Sequence, residues 1–93
     1  QDDVQAAYWF WLAAEQGHAG AQFNMGRCYA YGEGVQQDYV QAAYWWLQAA
    51  KRGIAEAQYS LGICYTYGLG VPQDAEKAAY WYAQAAAQGG TDQ

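Results

Sequence analysis

His18 is the one histidine of the chain, and histidine is the side chain whose ordinary titration suits acid–base work near neutral pH. It has no serine, cysteine or paired acid beside it in sequence, and general acid–base catalysis needs a second group within reach. Asp2, Asp38 and Asp74 form a ladder of carboxylates at a 36-residue spacing. Each stands just before an alanine- and aromatic-rich run, the place where an aspartate caps a helix N-terminus, and capping accounts for all three. The Gly-x-Gly stretches at 32–34 and 68–70 lack the preceding strand and the third glycine of a nucleotide fingerprint. Cys28 and Cys64 are two thiols where a structural zinc wants four ligands. Catalytic residues, metal ligands and cofactor-binding residues are therefore all expected to be none.

The same spacing runs through the whole chain. Shifted by 36 positions, the sequence repeats itself at more than half of the aligned positions, without an insertion. Gly17, Gly53 and Gly89 align, and the string AAYW recurs at 6–9, 42–45 and 78–81. A fixed period of this length marks a stacked array in which each unit closes the apolar face of its neighbour.

Each unit reads as two helices. From Asp38 to Gly53, the residues Ala42, Trp45, Trp46, Ala49 and Ala50 fall on one helical face. Asp38 is the N-cap, Gln41 completes a capping-box pattern, and Gly53 suits the left-handed residue after the helix end. The segments from Asp2 to Gly17 and from Asp74 to Gly89 repeat this logic. Shorter helices are predicted over Ala19–Tyr31 and Ala55–Tyr67, with Ala21, Met25 and Tyr29, then Ala57, Leu61 and Tyr65, on one side. Gly26 and Gly62 lie mid-helix, where glycine costs roughly 1 kcal/mol against alanine. That cost fits a neighbouring helix packed too close for a Cβ. Val35 and Val71 are expected to plug the loops that follow. The thiols fall at equivalent positions on stacked helices roughly 8–10 Å apart. A disulfide spans Cα atoms within about 7 Å. Both cysteines are thus expected reduced and half-buried, while Trp9, Trp45 and Trp81 are expected as packing residues on the core face.

The pattern Ala…Leu/Met-Gly-x-x-Tyr-x-x-Gly-x-Gly-Val-x-x-Asp…Ala-x-x-Trp-x-x-x-Ala-Ala-x-x-Gly resembles the Sel-one-like repeat, a relative of the tetratricopeptide repeat. In one unit it runs from Ala21, Met25 and Gly26 to Trp45 and Gly53, in the next from Ala57, Leu61 and Gly62 to Trp81 and Gly89. The resemblance implies an all-α superhelix, a right-handed solenoid of antiparallel helices, and an adaptor or scaffold role common among bacterial proteins. The division is a half repeat at 1–17, full repeats at 18–53 and 54–89, and a tail at 90–93 that does not begin another short helix. The chain starts and finishes on a long helix, so five helices are expected.

By the tetratricopeptide arrangement, the short helices line a concave groove. Its protein-binding positions map onto Phe23, Arg27, Ala30 and Tyr31, then Glu56, Tyr59, Ile63, Thr66 and Tyr67. Aromatic anchors with an arginine are typical of interface hot spots. A second apolar stripe follows the outer face of the long helices: Val4, Tyr8 and Trp11, then Val40, Tyr44 and Leu47, fading to Glu76, Tyr80 and Ala83. A contiguous apolar surface of this kind calls for a covering partner.

The net charge of −5 comes with only Arg27, Lys51, Arg52 and Lys77 as cations, and nucleic acid wants a clustered basic face. No apolar run approaches the roughly 20 residues of a membrane span. A protein partner remains, either a foreign peptide segment in the groove or another copy of the chain. In the second case the copies stack head-to-tail into a homo-oligomer or filament. Glycan binding through exposed aromatic rings is a third reading, disfavoured by the scarcity of neighbouring acids and amides. A start at Gln1 rather than Met favours a periplasmic or extracellular setting over a cytoplasmic one, although an excised fragment reads the same.

Overall fold

The structure is a computed structural model and describes residues 2–89. The expectation for the tail at 90–93 lies outside the described residues. Five helices follow in order: α1 (Asp3–Glu15), α2 (Ala19–Tyr31), α3 (Tyr39–Lys51), α4 (Ala55–Tyr67) and α5 (Ala75–Gly89). No strand occurs among the described residues. Each helix packs on the one before it and the one after it, and the closest-packed pairs are α2 with α3 and α4 with α5.

Local chemistry sets the helix ends. Asp2 Oδ1 accepts from Val4 N (3.0 Å), Asp38 Oδ1 from Val40 N (3.0 Å) and Gln41 N (3.3 Å), and Asp74 Oδ1 from Glu76 N and Lys77 N (both 3.1 Å). The carboxylate ladder is thus a row of N-caps. The reciprocal half of the capping box does not form. The Asp38 N–H donates instead to Tyr29 O, and the Asp74 N–H to Tyr65 O, both at 2.9 Å, so the loop after each short helix is tied back to that helix. His18 also serves as a cap: its Nδ1 accepts from Ala21 N at 3.2 Å. At the corresponding place Ile54 has no side chain that can do so.

Gly17 and Gly53 take left-handed conformations after α1 and α3, with φ of 89° and 91°. Gly89 departs from this reading, because α5 continues through it. After Gly17 and Gly53 the chain turns at once into a short helix, with His18 N bonded to Ala13 O and Ile54 N to Ala49 O. The sequence after Gly89 is a second glycine.

The core lies between the helix layers. One cluster joins Ala42, Ala43, Trp46, Ala49 and Ala50 of α3 to Ala30 of α2 and to Ala57, Leu61 and Cys64 of α4. The other places Trp45 among Ala14 of α1 and Ala21 and Met25 of α2, with Phe10, Ala13 and Tyr29 against it. Ala42, Trp45, Trp46, Ala49 and Ala50 are all buried, as the helical spacing requires.

The mid-helix glycines have a specific cause. A Cβ on Gly26 would collide with the indole of Trp46, and one on Gly62 would lie 2.7 Å from the ring carbons Cδ1 and Cε1 of Tyr82. The space each glycine leaves is filled by an aromatic ring of the next helix, and Trp46 Nε1 donates to Phe23 O at 3.2 Å.

Trp9 overturns the expectation that all three AAYW tryptophans are core residues. Trp45 is buried, Trp81 is half-buried against the first cluster, and Trp9 is 58% exposed. The rings that cover Trp45 belong to α1 and α2, one unit back along the array. No described helix stands in that relation to Trp9.

Candidate protein-interaction surface

Two buried glutamines lock the units together. Gln22 Nε2 donates to Ala14 O at 3.2 Å and Gln58 Nε2 donates to Ala50 O at 3.1 Å, so each short helix bonds the C-terminal turn of the long helix before it. Gln58 Oε1 also accepts from Gln88 Nε2 at 2.9 Å. Gln22 Oε1 meets no donor, because the residue matching Gln88 is Arg52, whose guanidinium lies beside Gly17. Sequence reasoning passed over these glutamines, although their identity at a 36-residue spacing was the available signal.

The thiols are more deeply placed than expected: Cys28 and Cys64 are free and fully buried. Burial pushes the Cys28 thiol up, with nearby Glu33 adding to the effect. Burial alone pushes Cys64 from the ordinary 9.0 to about 11. Both are placed as packing residues, and burial disfavours the thiolate, the reactive form. A raised thiol pKa means that the native state holds the proton more tightly than the unfolded chain. Its stabilising contribution is complete below pH 9 and is lost as pH rises from 9 to about 11. Urea midpoints at pH 8 and pH 11 are expected to fall further apart for the native sequence than for Cys64→Ala, by the equivalent of about 2–3 kcal/mol. Equal pH dependence in the two proteins would contradict the assignment.

The residues expected in a concave groove divide into three groups. Tyr31 and Tyr67 project from the C-terminal ends of α2 and α4 and are 66% and 70% exposed. Arg27 is exposed and faces Glu33 at 3.8 Å, a surface pair that leaves both side chains free to rearrange. Phe23 instead is half-buried against the first core cluster, Ala30 is buried, and Ile63 is half-buried. Thr66 Oγ1 donates to Gly62 O at 2.8 Å and lies 3.1 Å from Tyr82 Oη. Glu56 and Tyr59 are exposed but line a different feature. This is an open trough of about 840 Å³ between α4 and α5, walled by Ser60, Tyr82, Ala85 and Ala86. Tyr59 and Tyr82 pack there with ring centroids 5.5 Å apart. The sequence reading missed the α5 wall.

The outer stripe is exposed at Val4, Tyr8, Trp11, Val40, Tyr44 and Tyr80, and half-buried at Leu47, which packs against the first core cluster. Each stripe tyrosine of the AAYW strings stands edge-on to the tryptophan after it, with centroid distances of 5.3 Å, 5.0 Å and 4.9 Å. Val4, Tyr8 and Trp11 also border a small depression floored by Met25 and Tyr29. Among the described residues, no three of His, Cys, Asp and Glu gather as metal ligands, and no helix is long and apolar enough to cross a membrane.

The stacked helix pairs, capped by aspartates and closed by glycine loops, agree with the Sel1 repeat family model, which matches residues 1–18, 19–54 and 55–90. The chain belongs to the Sel1 repeat family. It is similar to a Sel1 repeat protein from Oxalobacter formigenes, with 43% identity, a TM-score of 0.90, and coverage of 92% of this chain and 66% of that one. It is also similar to c5321, a protective antigen of uropathogenic Escherichia coli that displays this fold. Here the identity is 45% and the TM-score 0.91, over 95% of this chain and 19% of that one. The chain thus spans less than two thirds of either structure. No curated protein matches it. Sel1 repeats typically mediate protein–protein interaction, and proteins built from them are generally non-catalytic scaffolds.

Proposed function

We propose that this Sel1 array is a non-catalytic adaptor that holds a segment of another protein against the exposed side chains of its short helices. The observation that carries the reading is the pair Tyr31 and Tyr67, which occupy one repeat position and stand out from successive units on rigid helices. A buried tyrosine contributes a large apolar area and a hydroxyl at little entropic cost, which is why tyrosine anchors interfaces. Two such anchors one unit apart set a spacing that a bound segment has to match. Arg27 adds a cation near the first of them.

Peptides selected against the protein from a random library test this. The variant Tyr31→Ala/Tyr67→Ala is expected to bind them at least tenfold more weakly, with an unchanged melting temperature because both rings are exposed. Undiminished binding would remove the short-helix face from consideration.

A second reading is self-association through the outer stripe, supported by the exposure of Val4, Tyr8, Trp11, Val40 and Tyr44 on α1 and α3. Under it, particle size in light scattering grows with protein concentration, and Tyr8→Glu/Tyr44→Glu holds the chain monomeric.

A further inference from the structure

The 36-residue repetition lets one part of the molecule act as the template for another. Between α2 and α3, the side chains of Phe23, Trp46, Ala49 and Ala50 form a seat, and Ala57, Leu61 and Cys64 of α4 fill it. One period later, Tyr59, Tyr82, Ala85 and Ala86 hold the same places. Ala49 and Ala50 are 0% and 2% exposed under α4, whereas Ala85 is half-buried and Ala86 exposed in the α4–α5 trough. The two alanines are kept and both aromatic positions stay aromatic, as tyrosines, whereas no helix among the described residues fills the second seat.

We infer that the α4–α5 trough is a docking site for an α-helix with the sequence pattern of α4, an alanine followed four residues later by leucine or methionine and then by glycine and a small residue. The inference rests on the protein-binding reading and names the partner class for one surface. Both short helices carry this pattern, as Ala21-Gln22-x-x-Met25-Gly26-x-Cys28 and Ala57-Gln58-x-x-Leu61-Gly62-x-Cys64. The alanine lets the helix axes approach, and the aliphatic side chain enters between the aromatic and alanine walls. The glutamine reproduces a bond made twice already, to Ala14 O and to Ala50 O. A second copy of the chain fits less well. The described helices of a copy begin with the long helix α1, so stacking them head-to-tail puts a long helix where the seat takes a short one and breaks the alternation.

The test uses the intact chain and a synthetic peptide of residues 54–69, stapled between positions 59 and 63 so that circular dichroism confirms a helix. Calorimetric titration is expected to give saturable binding that weakens at least tenfold on Ala86→Glu in the protein, and also on Leu61→Asp in the peptide. Ala86 is exposed, so its variant is expected to melt as the parent does, which a thermal scan checks. Absence of saturable binding at millimolar peptide would overturn the inference, as would equal affinity for Ala86→Glu. Self-association of the protein that Ala86→Glu abolishes would overturn it too, by assigning the trough to a second copy. The Tyr31 and Tyr67 rings are not among the trough-lining residues, so loss of library-peptide binding in their double variant stands or falls independently of these outcomes.

Discussion

Alanine at position 70 is expected to destabilise the protein by about 3 kcal/mol or more, whereas alanine at position 53 costs about 1–2 kcal/mol. Both glycines have positive φ, 74° and 91°, so both substitutions incur the strain of a left-handed L-residue. They differ in what a Cβ meets. At Gly53 nothing lies within 4 Å. At Gly70 the new carbon runs into the carbonyl of Tyr39 and comes within 2.8 Å of Val40 N, in the first turn of α3. A side chain in the way can rotate, but the backbone of a capped helix cannot shift without loosening the Asp38 cap. The difference between the two variants therefore measures how firmly the loop after α4 is pressed onto the unit before it. In a domain of this size, 1 kcal/mol moves the melting temperature by roughly 4–8 °C, so thermal scans resolve it easily. Equal melting temperatures for Gly53→Ala and Gly70→Ala would show that the loop does not bear on α3. Gly34 stands in the same relation to Asp3 of α1.

The second large effect is a coupling between Gly26 and Trp46. Trp46→Ala removes a buried ring that joins α2, α3 and α4, and a loss of about 3–5 kcal/mol is expected. Glycine to alanine within a helix ordinarily gains roughly 1 kcal/mol. Gly26→Ala is instead expected to lose about 1–3 kcal/mol, because its methyl group occupies the space of the Trp46 indole, which the hydrogen bond to Phe23 O holds in place. Once Trp46 is alanine the obstruction is gone, and the same substitution becomes neutral or stabilising. A double-mutant cycle from urea denaturation is thus expected to show a coupling of about 2 kcal/mol or more. Additive effects would mean that the ring and the glycine are not in contact. Gly62→Ala is milder, since Tyr82 is only half-buried and has room to swing into the trough.

Much of this fold was legible because it is written locally and then repeated. Asp38 before an alanine-rich run, the apolar spacing from Ala42 to Ala50, and the bounds of α2 and α4 need no knowledge beyond a few turns of chain. Burial is a different kind of property. Trp9 and Trp45 share the same string, but one is exposed and the other covered, because the cover comes from helices a full unit earlier. Phe23 and Tyr59 are matched positions with opposite fates for the same reason, and α4 makes the difference. The capping box was lost to competition, since the Asp38 N–H had a better acceptor in Tyr29 O than in the Gln41 side chain. Buried glutamines escaped notice because a polar residue on a helix reads as solvated until its backbone acceptor across the interface is known. The exposed tyrosines of the short helices could be named from the sequence, while their division between the open face and the α4–α5 trough required the third dimension.

Because each helix of the described array leans mainly on the helices before and after it, with Trp45 reaching back to α1, cohesion here is a chain of links and not a single shared centre. Contacts that are short-range in sequence form quickly and need no distant segment to arrive first. The thinner links, between α1 and α2 and between α3 and α4, are expected to open before the tight pairs α2–α3 and α4–α5. A helix seated on the α4–α5 pair would repeat the thinner kind of link that α4 makes with α3, so its hold rests on the few side chains that enter the seat.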